Sequence, residues 1–308
     1  MDIFFVHLGI GISNLQKTFS VFGFDIAYYG LIIVIGVMAG VAIGSYDAVK
    51  NGADLDTCLD LAIYAVIFGV IGARLYYVIF EWDMYKDNLW EIFNIRNGGL
   101  AIYGGVIGAA ATFYVVTKIK KMSMLKFADS GVLGLLIGQS IGRWGNFVNC
   151  EAFGGYTDNL LAMRLNVENV NSSMISAELW ANKIVENGIT YIQVHPTFFY
   201  ESMWNLCLLI VLLFYRKHKK FTGEIFCMYL AGYGLGRAWI EGLRTDQLVI
   251  GNTGIAVSQL LAGVLFVVFT TVIIVKHVML KKAANGAPET VLTDVSGNDE
   301  GKNGESEE

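Results

Sequence analysis

Long apolar runs recur along this chain as far as Val275, and they restrict its fold more than any other feature. Each run is about 20 residues long, which is the length that an α-helix needs to cross the hydrocarbon core of a bilayer. The alternating segments of about ten residues that mark a transmembrane β-barrel are not seen. With 55% apolar and 16% charged residues, the sequence predicts an all-α polytopic membrane protein.

About seven transmembrane helices can be placed, at residues 26–46, 59–80, 99–117, 127–148, 198–215, 223–240 and 253–275. Basic residues cluster after the third, fifth and seventh of these runs, at residues 118–126, 216–220 and 276–282. With seven spans all three clusters fall on one side, which the positive-inside rule makes cytoplasmic. The prediction is therefore an external N-terminus and a cytoplasmic C-terminus.

The rest of the chain divides around these spans. Residues 1–282 are predicted to form a single transmembrane domain, in which the polar segment 149–197 is an external head. Residues 1–24 are predicted to form an interfacial segment, with a short amphipathic helix as one form of it. Residues 283–308 carry seven acids and one base, so the other 282 residues have a net charge of +1. That composition predicts a disordered acidic tail on the cytoplasmic side.

Residues 142–155 close the fourth run with an unusual density of polar groups. Arg143, Asn146 and Asn149 are three residues apart, so on a helix they share one face, and Glu151 follows. A charge in hydrocarbon costs roughly 2.5–3.5 kcal/mol on insertion scales, so it is kept only where it has a partner or a task. This face offers a cation and two amides to a polar ligand.

A second charged group ends the sixth run, where Arg237 and Glu241 are four residues apart and Arg244 follows. One interpretation is an ion pair that neutralises itself at the membrane interface. The other is that Glu241 holds Arg237 so that its guanidinium binds a phosphate through two bonds. Arg143 and Arg237, from different helices, would suit a phosphodiester whose charge changes during reaction.

Other unusual residues are predicted to lie at the same outer side, each with a structural alternative. For Arg74, the structural alternative is a side chain that extends along apolar surface to place its charge at the membrane interface. For Glu201, the alternative is a structural cap or ion pair. For His195, which precedes Pro196, it is a role in starting the helix. Cys150 is not favoured as a nucleophile, because no His base is visible nearby.

One pair of glycines lies on each side of Tyr103: Gly98 and Gly99 before it, Gly104 and Gly105 after it. They predict a bend or a close backbone approach at a helix entrance, and helix packing explains them equally well. A separate ridge of Gly36, Gly40 and Gly44 predicts close helix packing by the first span.

These motifs, in this order, resemble those of the bacterial prolipoprotein diacylglyceryl transferase family. The matching segments are residues 29–30, 98–105, 142–154, 195–201 and 233–244, spread over residues 26–250. Two departures are visible. Tyr103 stands where many members carry His, and Thr245 precedes Asp246 where members usually have Pro.

The resemblance implies that the chain moves the diacylglyceryl group of phosphatidylglycerol onto the thiol of a prolipoprotein's lipobox cysteine, which is the first step of lipoprotein maturation. Glycerol phosphate would be released and a thioether formed. The implied partners are phosphatidylglycerol, the lipobox segment of the signal peptide and membrane lipids, with no nucleic acid. No metal or organic cofactor is implied. The implied location is the bacterial cell membrane, with the active site in its external half.

The resemblance carries family roles onto Tyr29, Arg143, Asn146, Glu151, Gly154, Arg237 and Glu241. We expect four catalytic residues: Arg143, Arg237, Tyr103 and Glu241. We expect twelve substrate-binding residues: Tyr29, Asn146, Asn149, Glu151, Gly154, Gly98, Gly99, Gly104, Gly105, His195, Glu201 and Arg244. Two other classes of protein stay open on the residues alone, a transporter or channel for an anionic solute and a lipid-binding scaffold without catalysis.

Overall fold

The computed structural model describes residues 2–95, 98–251 and 253–286, and most of them are helical. The helices are α1 (Tyr28–Lys50), α2 (Leu55–Phe80), α3 (Trp82–Tyr85), α4 (Ile102–Ile119), α5 (Met124–Asn149), α6 (Ala177–Ala181), α7 (Thr197–Tyr215), α8 (Glu224–Glu241) and α9 (Val257–Gly286). Seven of these helices are long, since only α3 and α6 are short, and each of the seven predicted runs overlaps one of the long helices.

Five helices in the described part of the chain are long and apolar enough to cross a membrane: α1, α2, α4, α7 and α9. The other two long helices, α5 and α8, each carry three charged residues in their lengths of 26 and 18 residues. They are more polar because they bring Arg143 and Arg237 into the bundle.

Close glycine contacts join the helices in two pairs. Gly40 of α1 lies against Gly134 of α5, where a β-carbon on Gly40 would be 2.7 Å from the Gly134 carbonyl oxygen. Gly36 makes the same kind of contact with Gly138. The predicted ridge on the first span is therefore confirmed. In the second pair, Gly72 of α2 would meet the α-carbon of Gly108 on α4 at 3.2 Å.

Ion pairs show how the helices run relative to one another. At one end of the bundle, Arg143 near the end of α5 pairs with Glu201 near the start of α7. At the opposite end, Asp129 near the start of α5 pairs with Lys219, which follows α7, at 3.0 Å. Glu224, the first residue of α8, contacts His277 of α9 there at 2.6 Å. The polar groups are thus gathered at the two ends of the bundle.

Two small antiparallel sheets correct the all-α prediction. The larger sheet has the order β2-β1-β5-β7-β6, formed by β1 (Ile3–Phe5), β2 (Ile10–Ile12), β5 (Met163–Asn166), β6 (Ile184–Glu186) and β7 (Ile189–Val194). It joins the N-terminus to the predicted head segment through the pairing of Ile3 with Leu165. These strands are only three to six residues long, which is too short for alternation to be evident in the sequence.

The amphipathic helix considered for residues 1–24 is also wrong. Those residues form β1, β2 and a hairpin of β3 (Thr18–Val21) and β4 (Phe24–Ala27). Phe22 and Gly23 at its turn both have positive φ angles, as a tight hairpin turn requires. At the other end of the chain, α9 continues to Gly286. The predicted tail from residue 287 onward lies outside the described residues.

Gly134→Ala should destabilise the protein, because the added methyl group would overlap the Gly40 carbonyl oxygen. Overpacking of this kind costs about 1–3 kcal/mol. Thermal unfolding in detergent measures the change. Gly131→Ala, on the same helix but with no atom within 4 Å of the new methyl group, is the matched control. It should stabilise by up to about 1 kcal/mol through helix propensity. Equal melting temperatures for the two variants would contradict the packing assignment.

Candidate active site

Glu201 lies at the centre of the polar cluster, one turn into α7. It is the only charged residue of that helix, and its side chain is 5% exposed. Its Oε2 atom lies 2.6 Å from Nη2 of Arg143, and both of its oxygens accept hydrogen bonds from Nη1 of Arg237, at 2.9 and 3.0 Å. Nη1 of Arg244 is 3.8 Å away. One carboxylate thus gathers arginines from α5, from α8 and from the segment that follows α8.

Further carboxylates orient two of these arginines. Glu241 Oε2 lies 2.6 Å from Nη2 of Arg237, as the spacing of the two residues predicted, and Ser258 Oγ donates to Glu241 Oε1 at 2.6 Å. Asp246 accepts from Nε and Nη2 of Arg244 at 2.9 and 2.7 Å. Burial by itself would raise the pKa of Asp246, but the two hydrogen bonds and the charge of Arg244 outweigh it and hold that pKa below its ordinary value, so the carboxylate remains charged beside its arginine.

The predicted polar face of α5 exists as a hydrogen-bonded chain. Arg143 Nη1 donates to Asn146 Oδ1 at 3.3 Å, and Asn146 Nδ2 donates to Glu151 Oε1 at 2.9 Å. Asn149 Nδ2 reaches the same Glu151 oxygen at 3.5 Å. Tyr29 of α1 lies close enough to interact electrostatically with both Arg143 and Glu151. Four of the predicted residues therefore surround Arg143.

Gly154 connects the head segment to the arginine cluster. Its amide donates to the His195 carbonyl at 2.9 Å, and it forms a bridge with Arg244. A β-carbon here would lie 2.7 Å from the Leu243 carbonyl oxygen and 2.8 Å from Cβ of His195. The close approach of three backbone segments explains why this position holds glycine, and it sets the position of Arg244.

His195 lies beside this junction in a small hydrogen-bonded group. Its Nδ1 atom is 3.3 Å from the Tyr200 hydroxyl, to which Asn159 Nδ2 also donates at 3.1 Å. Burial lowers the pKa of His195 from its ordinary value, so the neutral ring is favoured. His195 therefore contacts Tyr200, which directly precedes Glu201 in the chain. Among the described contacts, His195 does not touch the guanidinium groups themselves.

Arg74 is not a snorkelling residue, which corrects one of the two interpretations given for it. It is 6% exposed and donates to the carbonyl oxygens of residues 91, 92, 94, 98 and 99, at 2.5–3.1 Å. Gly98 and Gly99 have φ angles of 87° and 76°, which glycine adopts readily. Their predicted close backbone approach is confirmed, with Arg74 as the group approached.

Tyr103 lies on the first turn of α4, and its described ring contact is with Tyr76 of α2, at 6.5 Å between centroids. Gly104 faces α2, where a β-carbon would be 2.9 Å from the carbonyl carbon of Gly72. Gly105 lies at ordinary contact distance from Ala73. No described contact joins these three residues to the arginines. Their predicted roles in catalysis and binding stay predictions.

The arrangement can hold an anion and can respond to a change in its charge. Three arginines face the carboxylates of Glu201, Glu241 and Asp246, and a fourth carboxylate, Glu151, is joined to Arg143 through Asn146. Arg143 is the most accessible of the three arginines, with 22% of its side chain exposed against 17% for Arg237 and 12% for Arg244. A phosphate group would therefore reach Arg143 first.

Sequence reasoning underestimated some of the residues that form this cluster. The sequence places Glu201 among the substrate-binding residues, with a structural cap or pair as the alternative, and a lone acid at the start of an apolar helix already indicates a cationic partner. Ser258 and Asn159 were not predicted, because each is a common polar residue far from the motifs in the chain.

A family model described as prolipoprotein diacylglyceryl transferase matches residues 16–275. This chain belongs to the prolipoprotein diacylglyceryl transferase family. The resemblance inferred from the motifs is therefore confirmed, and so is the type of enzyme, a transferase.

Curated relatives of the same kind are similar over most of their length. The phosphatidylglycerol–prolipoprotein diacylglyceryl transferase of Clostridioides difficile (strain 630) is 42% identical over 250 residues, which cover 81% of this chain and 91% of the relative. The enzyme of that name from Finegoldia magna is 42% identical over 248 residues, 80% and 90%. That from Listeria innocua serovar 6a is 40% identical over 274 residues, 89% and 94%.

Gly154→Ala should reduce transferase activity strongly, because the rigid backbone atoms around Gly154 cannot move aside without shifting Arg244. Gly155→Ala is the control, since its new methyl group would meet only the end of the flexible Glu178 side chain, at 4.0 Å. Initial rates of the two purified variants measure the difference. An active Gly154→Ala protein with unchanged melting temperature would contradict the assigned role of the junction.

Proposed function

We propose that this chain transfers the diacylglyceryl group of phosphatidylglycerol to the thiol of the lipobox cysteine of prolipoproteins. Family membership and the names of relatives about 40% identical support the reaction. The single observation that carries the site assignment is the meeting of Arg143 and Arg237 on one carboxylate. Two guanidinium groups held within one anion's reach form a suitable binding site for a phosphodiester.

The thiol first loses its proton to water. From the thiolate, the proposed step breaks one bond and forms one: the sulfur attacks the glycerol carbon that carries the phosphate ester, the carbon–oxygen bond breaks, and glycerol phosphate leaves with the bonding electron pair. The product is a thioether. Negative charge grows on the departing phosphate oxygen, and Arg143 and Arg237 are placed to stabilise it. Donors aimed at a developing charge each contribute roughly 3–4 kcal/mol.

Activation of the thiol is the smaller demand. A free thiol has a pKa of about 8.5, so forming the thiolate at pH 7 costs only about 2 kcal/mol. A neighbouring arginine lowers that cost. The arginines are therefore expected to matter more than any general base. Tyr103 is proposed as the residue that contacts the thiol or the headgroup in place of the family's histidine.

We further propose that the chain crosses the bacterial cell membrane seven times, with α5 and α8 as the two more polar spans. In support, ion pairs at both bundle ends make α5, α7, α8 and α9 alternate in direction. The basic residues at the end of α4, directly after α7 and in the last turns of α9 lie at the end opposite Glu201. By the positive-inside rule that end is cytoplasmic, so the arginine cluster lies in the external half.

This topology sets the domain organisation and the partners. Residues 1–282 would form one membrane domain with residues 149–197 as an external head, followed by an acidic cytoplasmic tail at residues 283–308. An external cluster would meet outer-leaflet phosphatidylglycerol and the lipobox segment of a translocated signal peptide. The other predicted binding residues would surround this meeting point; they include Tyr29, Asn149, Gly154 and His195.

Arg143→Ala and Arg237→Ala should each lower the rate of thioether formation by about a hundred-fold or more, the usual effect of removing one charge-stabilising donor. The assay contains a lipobox-cysteine peptide and phosphatidylglycerol, and it measures glycerol phosphate release as well as the lipidated peptide. Arg164→Ala is the matched control, because Arg164 pairs with Glu186 on the head sheet at 2.8 Å. Near-normal turnover in both site variants would refute the phosphate-binding role.

Tyr103→Phe removes only the hydroxyl group and keeps the ring contact with Tyr76. If the hydroxyl contacts the thiol or the headgroup, activity should fall by roughly ten-fold or more, the effect of a lost charged hydrogen bond worth about 1.5–3 kcal/mol. The same assay measures it, with the melting temperature as a check on folding. An unchanged rate would assign Tyr103 to packing alone.

A further inference from the structure

The segment between α2 and α4 exposes large apolar side chains although it lies outside both helices. Within residues 82–95, which we name the aromatic loop, the side chains of Trp90 and Phe93 are 81% and 77% exposed. Trp82, Met84 and Leu89 are also more than half exposed. In a loop surrounded by water these residues would be an aggregation hazard, so an exposed patch of this kind indicates a partner.

Arg74 holds the backbone of this loop in a fixed shape. Its guanidinium bonds the carbonyl oxygens of Glu91, Ile92 and Asn94, and it lies 5.0 Å over the ring of the buried Tyr85. The polar backbone therefore faces inward around a buried cation. Trp90 and Phe93, whose rings pack at 6.1 Å, are left on the outside.

The helix ends nearest to the loop in the chain also expose large apolar side chains. Ile79 and Phe80 at the end of α2 are 71% and 68% exposed, and Ile102 at the start of α4 is 77% exposed. Both helices have the length and composition of membrane spans, so these residues face lipid chains. The aromatic loop extends that lipid-facing surface beyond the ends of the helices.

Its composition fits the boundary between lipid and water. Tryptophan is enriched at this boundary because its ring is apolar while its N–H can reach water or headgroups. Acids and a lysine alternate with the apolar residues, at Asp83, Lys86, Asp87 and Glu91, and Lys86 pairs with Asp83 at 2.8 Å. A signal-peptide groove or a dimer interface would instead bury its apolar residues without interspersed charges.

We infer that the aromatic loop is a membrane-interface anchor, with Trp90 and Phe93 inserted among the lipid headgroups on the side of the bilayer where Glu201 lies. The loop shares that side because α2 ends there, opposite the short connection of α1 to α2. This inference rests on the proposed membrane topology and not on the proposed reaction. It gives Arg74 a positioning role, because Arg74 holds the loop against the bilayer. Gly98 and Gly99 share that role, since their carbonyl oxygens accept from Arg74.

Tryptophan fluorescence tests the insertion. The full-length protein is reconstituted in vesicles of phosphatidylcholine and phosphatidylglycerol, and its emission is compared with that of Trp90→Gln. The component lost in the variant should be quenched by lipids brominated near the headgroup and protected from iodide in the water. Because Trp90 is so exposed, its replacement should leave the fold unchanged, and circular dichroism checks this.

Trp180→Gln is the matched control, since Trp180 is 48% exposed on α6 in the head segment. The emission lost in that variant should be quenched by iodide and not by brominated lipid. The inference is overturned if the Trp90 component behaves like the Trp180 component. It is also overturned if brominated lipid leaves the Trp90 component unquenched while a lipobox peptide, or a rise in protein concentration, shifts it.

Discussion

A single buried carboxylate, that of Glu201, determines how the site can be built. Three arginines placed together would repel one another, and buried charges in a membrane protein need charged or polar partners. Glu201 solves this by bonding Arg143 and Arg237 directly and lying 3.8 Å from Arg244. Because these residues come from α5, from α8 and from the segment after α8, the same contacts that neutralise charge also fix the spacing of the guanidinium groups.

The balance of charge has a consequence for the proposed chemistry. Each of the three arginines already contacts a carboxylate, so a lipid phosphate must take over part of an arginine's bonding from a carboxylate. Arg143, which is the most accessible arginine and donates elsewhere only to Asn146 among the described contacts, can do so with the least rearrangement.

The helices and the polar motifs could be predicted from sequence, whereas the sheets and the centre of the cluster could not. Apolar runs near the bilayer length define helices without knowledge of tertiary contacts, and the i, i+4 spacing of Arg237 and Glu241 already predicts their pair. The strands of the head are too short to show an alternating pattern, and the pairing that joins the N-terminus to the head links residues more than 150 positions apart, Ile3 and Leu165. Arg74 was misjudged because its five carbonyl partners belong to a loop whose shape depends on Arg74 itself.

The most direct test of the central claim is a double-mutant cycle on Arg143→Lys and Arg237→Lys, measured as kcat/KM for phosphatidylglycerol. Lysine keeps the charge but loses the planar two-bond geometry. If both guanidinium groups hold one headgroup, the combined loss should differ from the product of the single losses by a coupling energy of about 0.5–3 kcal/mol. Losses that multiply with no coupling would show that the two arginines act on separate groups, and the account of a shared phosphate site would be wrong.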